Sequence, residues 1–494
     1  MPPKRPDFYA MLGLLRSATQ EEIKRAYYKI AKRLHPDTNQ APGETELFLE
    51  VQQAYQVLSD PARRSAYDAT LGPEEMTLPE VVEKRILLSR KEIARLPESQ
   101  LLYVLVDVLP TEQQKQALSG VPLNLCLVLD CSTSMKGERL DTVKASAVQI
   151  IRQLKPQDIF SVIAFNDRAE VIIPATRHQG NTHRLETRIQ MLQTGGGTEI
   201  FKGLQAGFDE IRRYANPNTV SHIILLTDGR TYGDEPQCYE LAKQSAEAGI
   251  GISGLGIGSG WNDIFLDQLV SYTGGTAMYV SQPKDIERLL NEKFANLTQI
   301  FAENVVLDFQ STPGVSVSYA FRLQPETAPL NKQSPIPLGP ILRDWPLSVL
   351  MEFLIQPVSA GQDEVELING KLEIASAALQ TAFTSVPVRL TVPVKDTISP
   401  EPPPASLVQA LSKLTLYRLQ EKARAEVESG NYEKATQHLQ KMATHLLAQG
   451  ERSMAKTIML EIENIEREKK FSESGDKQIK YGTRALLLPG ERKR

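Results

Sequence analysis

Cysteine is scarce: Cys126, Cys131 and Cys238 are the three in 494 residues, and no CxxC pair is present. That excludes a disulfide scaffold and a thiolate zinc module, and it fits a reducing compartment. Long apolar runs are also missing. Nothing approaches the roughly 20 apolar residues that a membrane-spanning helix needs. The start, MPPKRPDFYAMLGLL, is basic but has neither an adequate apolar stretch nor a small-residue cleavage pattern, so no secretion signal is expected. Charge of one sign is lacking as well: 56 Lys and Arg face 60 Asp and Glu, a net −4. Such a chain has no global field to hold nucleic acid or an acidic membrane. A soluble, cytoplasmic protein is expected, with no nucleic-acid partner and no membrane insertion. The length exceeds one ordinary domain and suggests about three or four.

Patterning divides the chain. Residues 1–71 read as compact and helical. In TQEEIKRAYYKIAKRL, Ile23, Tyr27, Ile30 and Leu34 share one face at helical spacing, and Thr19 with Glu22 has the spacing of a capping box. A second helix, ETELFLEVQQAYQVLSD, aligns Phe48, Val51, Tyr55 and Leu58, so the two form an antiparallel hairpin. From 72 to 120 a linker, with room for a helix near 80, leads to a strand, QLLYVLVDVL. Between 121 and 299 apolar strands alternate with amphipathic helices, which predicts a doubly wound, largely parallel sheet. Residues 300–395 are short strands punctuated by proline. The strand near 101–109 needs partners there, so the expectation is a β-sandwich into which the α/β domain is inserted. KDTISPEPPP supplies a stiff linker over 396–404. Residues 405–470 are helical, and 471–494 read as a loose basic tail.

The stretch LVLDCSTSM, residues 127–135, ends a core strand in Asp130, Ser132 and Ser134. In an open α/β sheet, ligands bind beyond the carboxyl ends of the strands. QTGGGTEI brings Thr198 to a glycine-rich turn before a helix, and IILLTDGR places Asp228 past another strand. Two carboxylates and three hydroxyls on loops at one edge suit a hard divalent cation, Mg²⁺ or Mn²⁺, whereas no histidine or thiolate motif points to zinc. Gly249, Gly251 and Gly254 also fit G-x-G-x-x-G. They run into a strand instead of turning from strand to helix, so they read as close-packing and turn positions and not as a dinucleotide fingerprint.

With GGGT and TDG in this order within alternating strands and helices, residues 121–299 resemble the von Willebrand factor type A (vWA) domain and its metal-ion-dependent adhesion site (MIDAS). The resemblance implies that Ser132, Ser134 and Thr198 supply hydroxyls, that Asp130 and Asp228 contribute directly or through water, and that an acidic side chain of a partner protein completes the metal shell.

KIAKRLHPDTNQ carries a second pattern. Pro36 disfavours helix in the residue before it, so the helix is expected to stop and present His35 and Asp37 on a loop. Arg25, Lys29, Lys32 and Arg33 gather on the polar face alongside. DFYAMLGL, the capped helix, His35-Pro36-Asp37, FLEVQQAYQVLSDP and RRSAYD recur in an order that resembles a J-domain. The resemblance implies that His35, Pro36 and Asp37, together with the basic helix face, engage a DnaK-type chaperone and stimulate its ATPase. Phe8, Tyr9, Leu12, Tyr55 and Leu58 are then packing residues.

The fold class expected is therefore multidomain: an all-α J-domain, an α/β vWA domain inserted in a β-sandwich, and a C-terminal helical region that caps the assembly or dimerises. Thr483, in KYGTRALLL, is a candidate phosphorylation site in the exposed tail. The leading functional reading is a J-domain co-chaperone or adaptor without enzymatic activity, which binds a protein through its metal site. The alternative is a vWA scaffold acting with a MoxR-type AAA+ ATPase in complex assembly or in metal or cofactor insertion. A metal-dependent phosphoesterase reading lacks a second metal site and an evident base.

Overall fold

In a computed structural model the structure describes residues 8–12, 14, 18–34, 44–70, 81–117, 121–180, 182–216, 218–231, 233–310, 312–377, 379, 384–398 and 401–486. The N-terminal part contains α1 (Phe8–Met11), α2 (Gln20–Leu34), α3 (Glu44–Leu58) and α4 (Pro61–Thr70). The capping box forms as the sequence requires. Thr19 N–H donates to Glu22 Oε2 at 2.7 Å and Glu22 N–H to Thr19 Oγ1 at 3.3 Å, so two free N–H groups of the first turn are satisfied reciprocally. Tyr9, Leu12, Ile23, Val51 and Leu58 make the buried core. Tyr27 of α2 stacks on Tyr55 of α3 with ring centroids 4.0 Å apart.

Next come β1 (Val82–Leu88), β2 (Ile93–Ala94), β3 (Gln100–Pro110) and α5 (Glu112–Ala117). The room left for a helix near 80 is occupied by β1, whose seven residues pair antiparallel with β3 at the sheet edge. Three consecutive exposed charges, Glu83, Lys84 and Arg85, suit an edge that solvent reaches. The α/β unit then runs β4 (Leu123–Asp130), a 3₁₀ turn (Thr133–Met135), α6 (Glu138–Gln153), β5 (Ile159–Phe165), β6 (Ala169–Arg177), α7 (His183–Gln190), α8 (Ile200–Ile211), β7 (Val220–Thr227), α9 (Glu235–Glu247), β8 (Ile250–Ile257), α10 (Asp263–Ser271), β9 (Ala277–Val280) and α11 (Lys284–Leu297). Its sheet has the order β6-β5-β4-β7-β8-β9, with β6 alone antiparallel. β4 and β7 are buried along their whole length, as strands covered by helices on both faces must be. Two glycines of the G-x-G-x-x-G run serve packing: a Cβ on Gly251 would strike the His222 ring, and one on Gly254 would strike Leu266; Gly249, with a φ of +70°, serves the turn.

After α11 the chain returns to strands: β10 (Ile300–Gln310), β11 (Val315–Gln324), β12 (Ala328–Pro329), β13 (Ile336–Leu342), β14 (Leu347–Ile355), β15 (Glu364–Ala375) and β16 (Thr384–Lys395). Two five-stranded sheets result, β1-β3-β14-β11-β12 and β13-β10-β15-β16-β2. β3 pairs with β14 from Leu347↔Val108 to Ile355↔Gln100, so the strand that precedes the α/β unit finds its partner after it, and the unit is an insertion. Leu102, Val104 and Val108 from one sheet and Val305, Leu307 and Ile374 from the other share the sandwich core. Arg322 fastens the insertion to its host. It is 1% exposed and donates to the carbonyls of Gly274 at 2.7 Å and Leu338 at 2.9 Å.

Four helices close the chain: α12 (Ala405–Glu428), α13 (Tyr432–Ala448), α14 (Arg452–Glu468) and α15 (Glu473–Leu486). Leu407, Ala410, Leu414 and Tyr417 of α12 cover the outer face of the first sandwich sheet at Leu105, Phe321 and Leu350. The loose tail expected from 471 is instead α15, docked on the α/β unit. Tyr481 packs on Trp261 with centroids 5.6 Å apart, and Lys480 and Arg484 reach Asp263 and Asp267 of α10. Thr483 is fully buried, its hydroxyl donating to Ile479 O at 2.7 Å. As an exposed phosphorylation site it is ruled out in the folded chain. Residues 487–494 lie outside the described residues.

Candidate functional site

The five oxygen-bearing side chains come together at the carboxyl end of the α/β sheet. Asp130 is the last residue of β4, Ser132 follows it, Ser134 lies in the 3₁₀ turn, Thr198 precedes α8, and Asp228 follows β7. Parallel pairing of β4 with β7 carries Leu129 beside Leu226, so both strands end at one level and deliver their carboxylates to one place. Backbone bonds then draw in the glycine-rich loop. Gly195 N–H donates to Cys131 O at 2.8 Å, Thr133 N–H to Gly196 O at 3.2 Å, and Thr133 Oγ1 to the same carbonyl at 3.0 Å.

Ser132 Oγ and Ser134 Oγ are 3.0 Å apart, and Ser134 Oγ donates to Asp228 Oδ1 at 2.6 Å. Asp130 accepts from the Ser132 N–H at 2.8 Å through Oδ1 and from Thr227 Oγ1 at 2.6 Å through Oδ2. Thr198 stands against Gly229: a Cβ there would lie 2.7 Å from Thr198 Oγ1. Glycine at 229 thus leaves the space that lets the threonine pack against the loop carrying Asp228. Asp130 is completely buried. Burial pushes its carboxyl up from the usual range, against the lowering effect of Thr227 and Ser132, and the neighbouring charge of Asp228 adds to the rise.

A hard divalent cation fits this donor set. Mg²⁺ holds octahedral oxygens at ~2.0–2.1 Å, which puts adjacent ligands about 3 Å apart, and the two serine hydroxyls already have that separation. Ser132, Ser134 and Thr198 would hold it, with Asp228 within reach. Both oxygens of Asp130 are already engaged, and that suits a contribution through water. Among the described residues no group of three or more His, Cys, Asp or Glu side chains forms a ligand set. The donors here are mostly hydroxyls, and a cation held by such a set would keep enough positive charge to take another carboxylate.

Sequence reasoning missed Arg139. It lies in the first turn of α6 and makes an ion pair with Asp228 Oδ2. Thr227 and Gly229, which brace Asp130 and admit Thr198, were also missed, although both flank Asp228 in the chain.

The second predicted site is described in part. Arg25 and Lys29 are exposed on α2. Arg25 lies 3.6 Å from Glu21, and Lys29 lies 3.2 Å from Glu373 of the sandwich. Lys32 and Arg33 belong to the same helix, but their side chains fall outside the described residues, as do His35, Pro36 and Asp37. Among the described residues no helix is long and apolar enough to cross a membrane.

Family models match in three places: the DnaJ domain over residues 7–68, the von Willebrand factor type A domain over 124–292, and the Sll0103-like, C-terminal alpha-helical domain over 405–489. The uncharacterized protein sll0103 of Synechocystis sp. is 28% identical over 332 residues, 65% of this chain and 78% of that protein. Chaperone protein DnaJ 2 of Thermus thermophilus is 54% identical over 71 residues, 14% of this chain and 25% of its own length. Chaperone protein DnaJ of Thermosynechococcus vestitus is 55% identical over 62 residues, 13% of this chain and 17% of its own. The chain therefore spans a quarter or less of these chaperones. Among solved structures, the von Willebrand factor type A protein from Catenulispora acidiphila superposes with a TM-score of 0.65 at 15% identity, covering 81% of this chain and 96% of that one. The ArnB paralog VWA2 from Sulfolobus acidocaldarius gives 0.53 at 15%, covering 83% and 100%. At that identity both likenesses concern the fold. The chain thus carries, in order, a DnaJ domain, a von Willebrand factor type A domain and a Sll0103-like C-terminal helical domain.

Proposed function

We propose that this chain is a J-domain co-chaperone or adaptor. Its vWA domain holds Mg²⁺ or Mn²⁺ on Ser132, Ser134, Thr198, Asp228 and, through water, Asp130, and it captures a protein partner through an acidic side chain. The J-domain, through His35, Pro36, Asp37, Arg25, Lys29, Lys32 and Arg33, then brings the complex to a DnaK-type chaperone and stimulates its ATPase. The chain performs no covalent chemistry of its own and works in the cytoplasm. One observation carries the reading: oxygen-bearing side chains from three separate segments meet beyond one sheet edge, with Ser132 and Ser134 hydroxyls 3.0 Å apart and Ser134 2.6 Å from Asp228.

The division of labour follows from the construction. A cation bound mainly by neutral hydroxyls keeps much of its charge, and a carboxylate arriving from solvent is the hard anionic donor it prefers. The J-domain has a small core of its own and can meet a second protein while the vWA site is engaged. Two measurements test the halves separately. Calorimetric titration with MgCl₂ is expected to show binding by the wild type and none by Asp130→Ala. DnaK ATPase turnover is expected to rise with the wild type and not with His35→Gln. Equal stimulation by both proteins removes the J-domain from the account.

A further inference from the structure

Arg139 stands where a cation is least expected. The first turn of a helix carries positive potential from its free N–H groups, which favours acidic side chains there. Glu138 and Asp141 obey that preference and Arg139 does not. Its position is fixed by the site. The guanidinium pairs with Asp228 Oδ2, Nη1 also donates to Ser134 O at 3.3 Å, and Nη2 lies over Gly258, where a Cβ would come within 3.1 Å. Gly258 has a φ of +68°, so a side chain at 258 would be strained as well as crowded. The Asp228 side chain has no solvent exposure, whereas that of Arg139 is 38% exposed.

From this geometry we propose that Arg139 is a positioning residue that competes with the divalent cation for Asp228. When the ion binds, the guanidinium is released toward solvent, where its planar fork receives the partner's carboxylate. The inference rests on the metal reading above and adds a regulation to it. Asp228 Oδ1 is already committed to Ser134, so an ion seated on these two residues lies beside the guanidinium, and two cations on one carboxylate repel. Metal affinity is then reduced by the fraction of time that Arg139 holds Asp228. A carboxylate that pairs with the released guanidinium removes that penalty, since Arg and carboxylate match bidentately. Metal and acidic partner therefore bind with positive coupling, each raising the affinity of the other.

The test uses the full chain, wild type and Arg139→Gln, with MgCl₂ alone and then with acetate as the carboxylate probe. Arg139→Gln is expected to bind Mg²⁺ about tenfold tighter than the wild type, a change of about 1.4 kcal/mol. Acetate is expected to raise the Mg²⁺ affinity of the wild type and to have little effect on the variant. In EDTA the variant should melt below the wild type, and Mg²⁺ should raise its Tm by more. Mg²⁺ affinity that is equal or weaker in Arg139→Gln overturns the proposal while leaving the metal reading intact. An equal acetate response in both proteins overturns the coupling. Should Arg139→Gln fail to fold, Arg139→Lys, which keeps the charge but loses the fork, should keep wild-type Mg²⁺ affinity and lose the acetate response. If it keeps both, the coupling is overturned. No Mg²⁺ binding by any of these proteins ends the metal reading and this inference together.

Discussion

Arg484 and Asp267 offer a quantitative test of how the C-terminal helix is held. Arg484 donates through Nη1 and Nη2 to the two carboxylate oxygens of Asp267, both at 2.8 Å, and the side chains are 7% and 19% exposed. Breaking a buried ion pair from one side costs about 3–5 kcal/mol, because the other charge is stranded. The two truncations here are unequal. In Arg484→Met, Asp267 keeps Lys480 at 2.8 Å, so the loss should be about 2 kcal/mol. In Asp267→Leu, Arg484 loses its bidentate partner, and about 3–4 kcal/mol is expected. The double variant replaces the pair with apolar side chains in apolar surroundings, beside Tyr481 and Tyr417. It should lose about 2–3 kcal/mol less than the sum of the singles. Hydrogen exchange over 473–486 reads this directly, since about 3 kcal/mol changes the opening equilibrium roughly a hundredfold. Burial raises the Asp267 carboxyl, but Arg484 and Lys480 outweigh it and hold it well below the usual range. Its contribution is therefore present above the unfolded carboxyl value of about 3.9 and lost as pH falls below it. Single-variant effects that simply add would refute the coupling, and so would unchanged exchange in Asp267→Leu.

Three further outcomes are expected. At the junction of the insertion with the sandwich, burial raises the Glu326 carboxyl, but Lys293 and Thr276 pull it down to about 2 from an ordinary 4.5. Glu326→Gln should lose roughly 3 kcal/mol at pH 7, and chemical denaturation across pH should show the gap closing between 4.5 and 2. Gly229→Ala would place a Cβ 2.7 Å from Thr198 Oγ1; calorimetry should show Mg²⁺ affinity reduced by about tenfold or more, with far-UV circular dichroism unchanged. Thr483→Glu would force a carboxylate into a fully buried position and should cost about 3 kcal/mol or more, seen as a lower Tm and early proteolysis of the last helix.

The geometry of the candidate site was partly legible because its oxygen-bearing side chains lie in three short segments, each just beyond a strand end or before a helix. There, apolar patterning fixes the strand and the next residues must emerge at its tip. Arg139 was not legible. It sits two residues into a helix whose start reads as ordinary solvent-facing charge, and only the folded arrangement shows that its fork reaches Asp228 on another loop. The α15 segment failed for a related reason. Composition marked KQIKYGTR as polar and basic, but Lys477, Lys480 and Arg484 are spaced on one helical face and are 4–6% exposed. That periodicity was the available signal, and its partners, Asp263 and Asp267, lie too far back in the chain to be paired by inspection. β1 was misjudged because an edge strand with a run of three charged residues lacks the continuous apolar run of the central strands. The insertion, by contrast, followed from one unpaired strand needing neighbours.

The last helix also sets an order of events during synthesis. A ribosome delivers the N-terminal helices first, and they can close on their own small core. The α/β sheet emerges next, yet Trp261 and the carboxylates of α10 wait for a segment that follows them by 216 or 217 residues. Until then the growing chain shows an aromatic and two buried-type acids to its surroundings, and a premature stop would leave them so permanently. Synthesis of α15, and not of the α/β unit alone, is what seals this surface.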